Sequence, residues 1–250
     1  MARIKLILEY DGSNYHGFQI QKNAPTIQEK LEQGIFRLTG EKASLLCAGR
    51  TDAGVHALGQ VVAFDTQSNI PPAKWKFALN SVLPSDIQVL DSQEVNPVFH
   101  PRYHAVKKKY LYLIYRREQG TTFYRKYAFC TAELLDVGAM RKSCQMIEGR
   151  HNFRSFCASG SSVKDFVRTV TRCRLRENKS YIKMEIEADG FLYKMVRIIM
   201  GTLLEVGRGN YPAEYIKEII GAQDRSMAGP TAPPQGLYLV SVDYLNEGTV

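Results

Sequence analysis

One pattern constrains this chain more than any other: the same order of elements can be read twice along it. The first half opens with an alternating apolar strand at Arg3–Tyr10 and a turn at Asp11–Gly12. A helix follows, because Thr26 and Glu29 form a T-x-x-E capping box and Ile27, Leu31, Ile35 and Leu38 recur on one face. Strands are expected at Ser44–Ala48 and Gln60–Asp65, a second helix from Pro71–Pro72 to Val82, and a strand at Ile87–Glu94. The order is βαββαβ. It returns as a strand at Ala105–Arg116, a helix at Glu133–Glu148, and a hairpin of Val167–Glu177 with Tyr181–Ala188 across Asn178–Lys179. A helix at Phe191–Val206, a short one at Pro212–Ile220 and a strand at Leu237–Tyr244 complete it.

Two split βαβ units in tandem predict an α+β protein of two ferredoxin-like halves, residues 1–100 and 101–250, with the boundary near Pro97–His104. Their mainly antiparallel sheets are expected to join side by side, leaving a central cleft for a substrate. The stretch expected to be least ordered is Ala228–Gln235, rich in Gly and Pro.

Charge bears on what could enter such a cleft. The 250 residues carry a formal net charge of +8, which suits a polyanion but also an ordinary basic protein. Lys107–Lys108–Lys109 opens the long strand of the second half, and Arg172, Arg174 and Arg176 alternate along another. Tyr110, Tyr112, Tyr115, Phe123 and Tyr124 lie among them. These residues could grip RNA by phosphate contact and base stacking, or they could be sheet core and a solvated face.

The cysteines, Cys47, Cys130, Cys144, Cys157 and Cys173, are odd in number and form no C-x-x-C. That argues for a reducing compartment, hence the cytoplasm, and against a zinc knuckle. His100 and His104 come nearest to a metal pair, but Pro101 between them opposes a shared helical face and no metal is expected. The alternating N-terminus reads as a strand, and no stretch is long and apolar enough to span a membrane.

The loop Cys47-Ala-Gly-Arg-Thr-Asp-Ala-Gly-Val-His56 is the strongest candidate for chemistry. Glycines on both sides of Arg50, Thr51 and Asp52 allow a tight loop that presents side chains outward. An Asp in a turn is commonly a local backbone acceptor. In this loop Arg50, two residues away, supplies a cation that favours the charged carboxylate. The helix from Phe191 is apolar on nearly every face, with Arg197 in its middle. A guanidinium there calls for an acid partner, and a carboxylate arriving from the other half fits better than Glu205; the alternative is an Arg snorkelling to the surface.

CAGRTDAGVHALGQVVAFDT resembles the catalytic loop of the tRNA pseudouridine synthase A (TruA) family. YDGSNYHGFQIQ, LNSVLPSDI, KKKYLYLIY, FLYKMVRIIMGTL and PPQGLYLV resemble further motifs of that family in the same order, so the likeness spans nearly the whole chain. It implies an isomerase that turns uridine into pseudouridine in the anticodon stem-loop of tRNA, at positions 38, 39 and 40. It also implies a homodimer that needs no cofactor. Carried over residue by residue, it makes Asp52 the nucleophile, Tyr110 the stacking tyrosine and Arg197 the partner of the aspartate. A catalytically silent tRNA-binding paralogue is the alternative, and it would be expected to lack the aspartate loop. The signatures of a zinc deaminase, a methyltransferase or a G-x-S-x-G hydrolase are absent.

Overall fold

The computed structural model describes residues 1–117, 121–160 and 163–245. They form two compact units, Met1–Val106 together with the strand from Tyr238, and Lys107–Leu237. Each contributes its own strands and helices, so the class is α+β.

In the first unit, β1 (Ala2–Tyr10) runs antiparallel to both β3 (His56–Thr66) and β4 (Ile87–Val95). The short β2 (Leu46–Cys47) lies on β3. Helix α1 (Ile27–Thr39) starts where the capping box places it. Thr26 Oγ1 accepts the Glu29 N–H at 3.3 Å, and Gly40 closes the helix in the left-handed conformation. Its apolar stripe, Ile27, Leu31 and Ile35, is fully buried, as are Leu6 and Leu8 of β1. The second helix is shorter than the sequence suggests, with a 3-10 turn at Pro72–Lys74 leading into α2 (Trp75–Asn80). Trp75 closes this side of the core edge-on to Phe64 at 5.0 Å.

The second unit is built on β5 (Ala105–Arg116), β8 (Val167–Glu177) and β9 (Tyr181–Ala188). β9 lies between the other two and is antiparallel to both, and β7 (Gly149–Asn152) extends the sheet beyond β8. The short β6 (Phe129–Thr131) pairs parallel to the end of β5. Helices α3 (Val137–Ile147), α4 (Met195–Gly207) and α5 (Tyr215–Ala222) complete the unit. Tyr112, Ile114, Ile182, Met184 and Ile186 alternate onto the buried face of the sheet.

Three further departures from the sequence reading bear on the candidate site residues. Element order assigns β10 (Leu237–Tyr244) to the second half. From Tyr238 it packs with the first unit, because it pairs in parallel with β3 at Tyr238↔His56 and Leu239↔Ala57. The helix expected from Phe191 begins only at Met195. Lys194 precedes it with φ 57°, a left-handed backbone that the regular helix cannot contain. Ala228–Gln235 is a packed segment: Ala228 and Ala232 are buried, and Thr202 Oγ1 accepts the Gly229 N–H at 3.0 Å. Gly201 is what permits this approach, since a Cβ there would collide with the Pro230 carbonyl.

Candidate active-site residues in the two units

In the first unit the loop between β2 and β3 carries Arg50, Thr51 and Asp52, and the side chains divide sharply. Arg50 is exposed and Asp52 half-buried, while Thr51 between them points into the protein with 7% of its surface accessible. Thr51 Oγ1 lies 2.8 Å from the Tyr10 hydroxyl. Gln60, fully buried on β3, donates its Nε2 to the Gly49 carbonyl at 2.7 Å and reaches the same hydroxyl at 3.4 Å. A register shift in β1 between Leu8 and Tyr10 occurs where the strand delivers Tyr10 to this position. Burial raises the Tyr10 pKa above the ordinary tyrosine value, against the opposing effect of the Thr51 and Gln60 contacts, so the hydroxyl keeps its proton.

The outer side of the loop is held by the segment after β1. The Phe18 N–H donates to Thr51 O at 3.0 Å, the Gly54 N–H to Tyr15 O at 3.2 Å, and the Gly12 N–H to His56 Nδ1 at 3.1 Å. Asp11 Oδ1 lies 3.2 Å from the same His56 nitrogen. The ring stacks on Tyr238 at 4.8 Å. Gly17 has φ 95°, and a Cβ there would sit 2.7 Å from Thr51 O, so only glycine lets the two backbones lie this close. The Val55 N–H closes a turn onto Asp52 O at 3.1 Å. The backbone of the Asp52 loop is therefore fixed on both sides, with the Arg50 side chain exposed and that of Asp52 half-buried. Such a loop can present a carboxylate in one orientation.

The second unit carries Tyr110 on β5 and Arg197 on α4. Tyr110, 8% exposed on β5, meets the Phe191 ring edge-on at 5.0 Å. Phe191 belongs to the segment that leads into α4. Two residues along β5 from Tyr110, Tyr112 donates its hydroxyl to Pro233 O at 2.8 Å. Its pKa is raised by burial, against the opposing field of the Arg197 cation.

Because α4 starts at Met195, Arg197 lies in its first turn and not in its middle, as the sequence suggests. It is half-buried, and its Nε donates to Ala232 O at 2.8 Å while its own carbonyl accepts the Ala232 N–H at 3.0 Å. This pair of hydrogen bonds, one from the guanidinium and one to the backbone carbonyl, ties Arg197 to the segment that composition marks as the least ordered.

The three lysines divide. Lys107 lies 3.6 Å from Glu187, and Lys109 lies 3.8 Å from both Glu185 and Glu187. Arg172 also approaches Glu187, at 3.6 Å. These cations share one face of the sheet with acids, while Lys108 alternates to the face of Tyr110. Phe123 is exposed, and Tyr115, Tyr124 and Tyr181 form an aromatic cluster with centroids 4.7 to 6.0 Å apart.

Sequence reasoning misses Tyr10, Gln60 and Ala232. Tyr10 and Gln60 look like ordinary strand positions, and nothing local marks Ala232 as the acceptor for an arginine. Among the described residues no group of three or more His, Cys, Asp or Glu is placed to hold a metal ion, and no helix is long and apolar enough to cross a membrane.

With this geometry in hand, the likeness to known proteins is direct. A family model described as tRNA pseudouridine synthase matches residues 6–104 and 143–245, taking in the Asp52 loop and Arg197. The chain is 62% identical to the tRNA pseudouridine synthase A of Syntrophomonas wolfei over 98% of both proteins. It is 50% identical to that of Acetivibrio thermocellus and 48% identical to that of Moorella thermoacetica, in each case over 98% of this chain and 100% of the relative. The chain belongs to the tRNA pseudouridine synthase A family.

Proposed function

We propose that this protein is an isomerase that converts uridine to pseudouridine in tRNA, with Asp52 as its nucleophile. The observation that carries this reading is the loop in which Thr51 is locked into the core by Tyr10 and so fixes the backbone beside the half-buried Asp52. The reaction breaks the bond from uracil N1 to C1′ and forms a bond from C5 to C1′; the C5 proton leaves and N1 gains one. No electrons are exchanged. A carboxylate nucleophile held in one orientation suits such a rearrangement.

A uridine stacked in a stem must leave the stack before its C1′ can be reached. The Tyr110 ring, which Phe191 meets edge-on, serves as the surface on which the extruded base stacks, and its hydroxyl helps to remove the C5 proton. By the family resemblance Arg197 is the partner of the Asp52 carboxylate, and Arg50 adds a second cation in the same loop as Asp52. Lys107, Lys108 and Lys109 contribute charge toward the RNA backbone. Lys107 and Lys109 do so from within pairs with Glu185 and Glu187, which lowers what each adds.

The finer reading follows the family resemblance. The targets are uridines 38, 39 and 40 of the anticodon stem-loop, the enzyme works as a homodimer in the cytoplasm, and no cofactor takes part. The intact Asp52 loop favours an active enzyme over a silent tRNA-binding paralogue. The test is to incubate tRNA from a strain lacking this activity with the wild-type protein and with Asp52→Asn, and to map the new pseudouridines. Wild type should modify positions 38 to 40 and Asp52→Asn should modify none, with tRNA affinity within a few-fold of wild type. Modification by Asp52→Asn at a rate near wild type would show that Asp52 is not the nucleophile.

A further inference from the structure

The motif Phe99-His-Pro-Arg-Tyr-His104 takes no part in the chemistry above, yet the structure ties it down with many hydrogen bonds. It forms a tight turn in the first unit. The His104 N–H donates to His100 O at 3.1 Å, the Arg102 N–H to His100 Nδ1 at 3.1 Å, and the His100 N–H to His104 Nδ1 at 3.4 Å. Two side chains anchor it from below. Arg3, held by Asp65 through two contacts of 2.7 Å, donates to Phe99 O at 2.8 Å, and the Tyr244 hydroxyl donates to Pro101 O at 2.9 Å. The Phe99 ring packs edge-on against Tyr244 at 5.1 Å and His104 at 5.9 Å.

On top of this anchored turn stands an aromatic side chain facing water. Tyr103 is 74% exposed, with the His100 ring 4.3 Å away and the Arg102 guanidinium 5.8 Å from its centroid. Burial lowers the His100 pKa, and the nearby His104, Arg3 and Arg102 push it the same way, so its ring is an uncharged neighbour for Tyr103 at neutral pH. A single exposed tyrosine is ordinary on a flexible loop. A tyrosine held ready on a hydrogen-bonded turn has already lost the freedom that binding would otherwise remove.

The chemistry of the surroundings selects the partner. From Val95 to Arg117 the chain has no Asp or Glu, and Arg102 is exposed beside Tyr103. An exposed aromatic ring with a guanidinium 5.8 Å over it, on a stretch of chain without acids, fits a nucleotide: the ring takes the base and the cation takes its phosphate. Bases inside a stem are covered on both faces, so the ring selects an unpaired one. We propose that the His100–His104 turn is a stacking platform for an unpaired nucleotide of the tRNA substrate, with Tyr103 against the base and Arg102 on its phosphate. The inference rests on the tRNA reading above and adds to it a contact separate from the reacting uridine.

The test measures binding and needs no turnover. Full-length wild type, Tyr103→Ala, Tyr103→Phe and Arg102→Gln are titrated with an unmodified tRNA transcript by filter binding over a range of salt, and their oligomeric states are measured by sedimentation. Tyr103→Ala should weaken binding about tenfold and Tyr103→Phe should stay within about twofold of wild type, since only the ring is required. Arg102→Gln should weaken binding and reduce the slope of log affinity against log salt by about one, the loss of one phosphate contact. Wild-type affinity in Tyr103→Ala would overturn the proposal, as would equal losses in the Ala and Phe variants. A change of oligomeric state in Tyr103→Ala with normal tRNA affinity would assign the turn to a protein contact and also overturn it. Whether the wild type forms pseudouridine is a separate measurement, so failure of the catalytic reading and failure of the platform can be told apart.

Discussion

The Tyr10 hydroxyl and Thr51 Oγ1 lie 2.8 Å apart in the core of the first unit, and Thr51 is the residue immediately before Asp52. A strand thereby reaches across 41 positions of sequence to set where the candidate nucleophile stands. Tyr10→Phe keeps the ring and removes the hydroxyl. Losing one buried hydrogen bond costs roughly 1 kcal/mol, which leaves the protein folded. The expected result is a fall in kcat of about tenfold with little change in KM, which corresponds to about 1.4 kcal/mol in the barrier. Thr51→Ser should retain activity and Thr51→Val should behave like Tyr10→Phe. The double variant should be no worse than either single one, because both break the same contact. Full kcat in a folded Tyr10→Phe protein would show that the loop is held without this bond.

Tyr110 offers two functions that substitution separates. Tyr110→Phe preserves the ring against Phe191 and removes only the hydroxyl, whereas Tyr110→Ala removes both. Steady-state kinetics on tRNA should show Tyr110→Phe losing much of kcat at nearly unchanged KM, and Tyr110→Ala losing more. Equal kcat in Tyr110→Phe and wild type would leave Tyr110 as a stacking surface alone.

Arg197→Lys keeps a positive charge in the first turn of α4 but loses both the Nε donor to Ala232 O and the planar fork. A drop in kcat of about a hundredfold is expected, a severity based on the loss of bidentate geometry. Thermal unfolding of the same variant separates this effect from loosening of the Ala232 segment. A stable Arg197→Lys enzyme with normal kcat would confine Arg197 to a structural role.

Stability in acid gives a test independent of activity. The hydrogen bonds from Arg3 hold the Asp65 carboxyl below its ordinary pKa, against a smaller opposing effect of burial. A folded pKa below the unfolded one contributes stability above the unfolded value, about 3.9, and that contribution disappears as pH falls through the folded pKa. Asp65→Asn should therefore be less stable than wild type at neutral pH, with the gap closing below about pH 4. Urea unfolding from neutral to acid pH would reveal this; a constant gap would mean that the pair is not the source.

The sequence by itself determined the elements whose signals are local. The capping box of Thr26 and Glu29 and the stripe of Ile27, Leu31 and Ile35 fixed α1, since both depend only on residues three or four apart. Alternation defined β1, β8 and β9, and the glycine-flanked loop marked Asp52. Tertiary structure alone decided the pairing of Lys107 and Lys109 with Glu185 and Glu187, which depends on the register of β5 against β9. It also decided that Lys194 turns left-handed and so moves Arg197 to the start of its helix, and that β10 pairs with β3. The anchoring of Thr51 by Tyr10 and of Arg197 by Ala232 belongs with these. Hydrophobic period records which face of an element is buried; the partner brought to that face by the folded chain lies at a distance in sequence that no local pattern encodes.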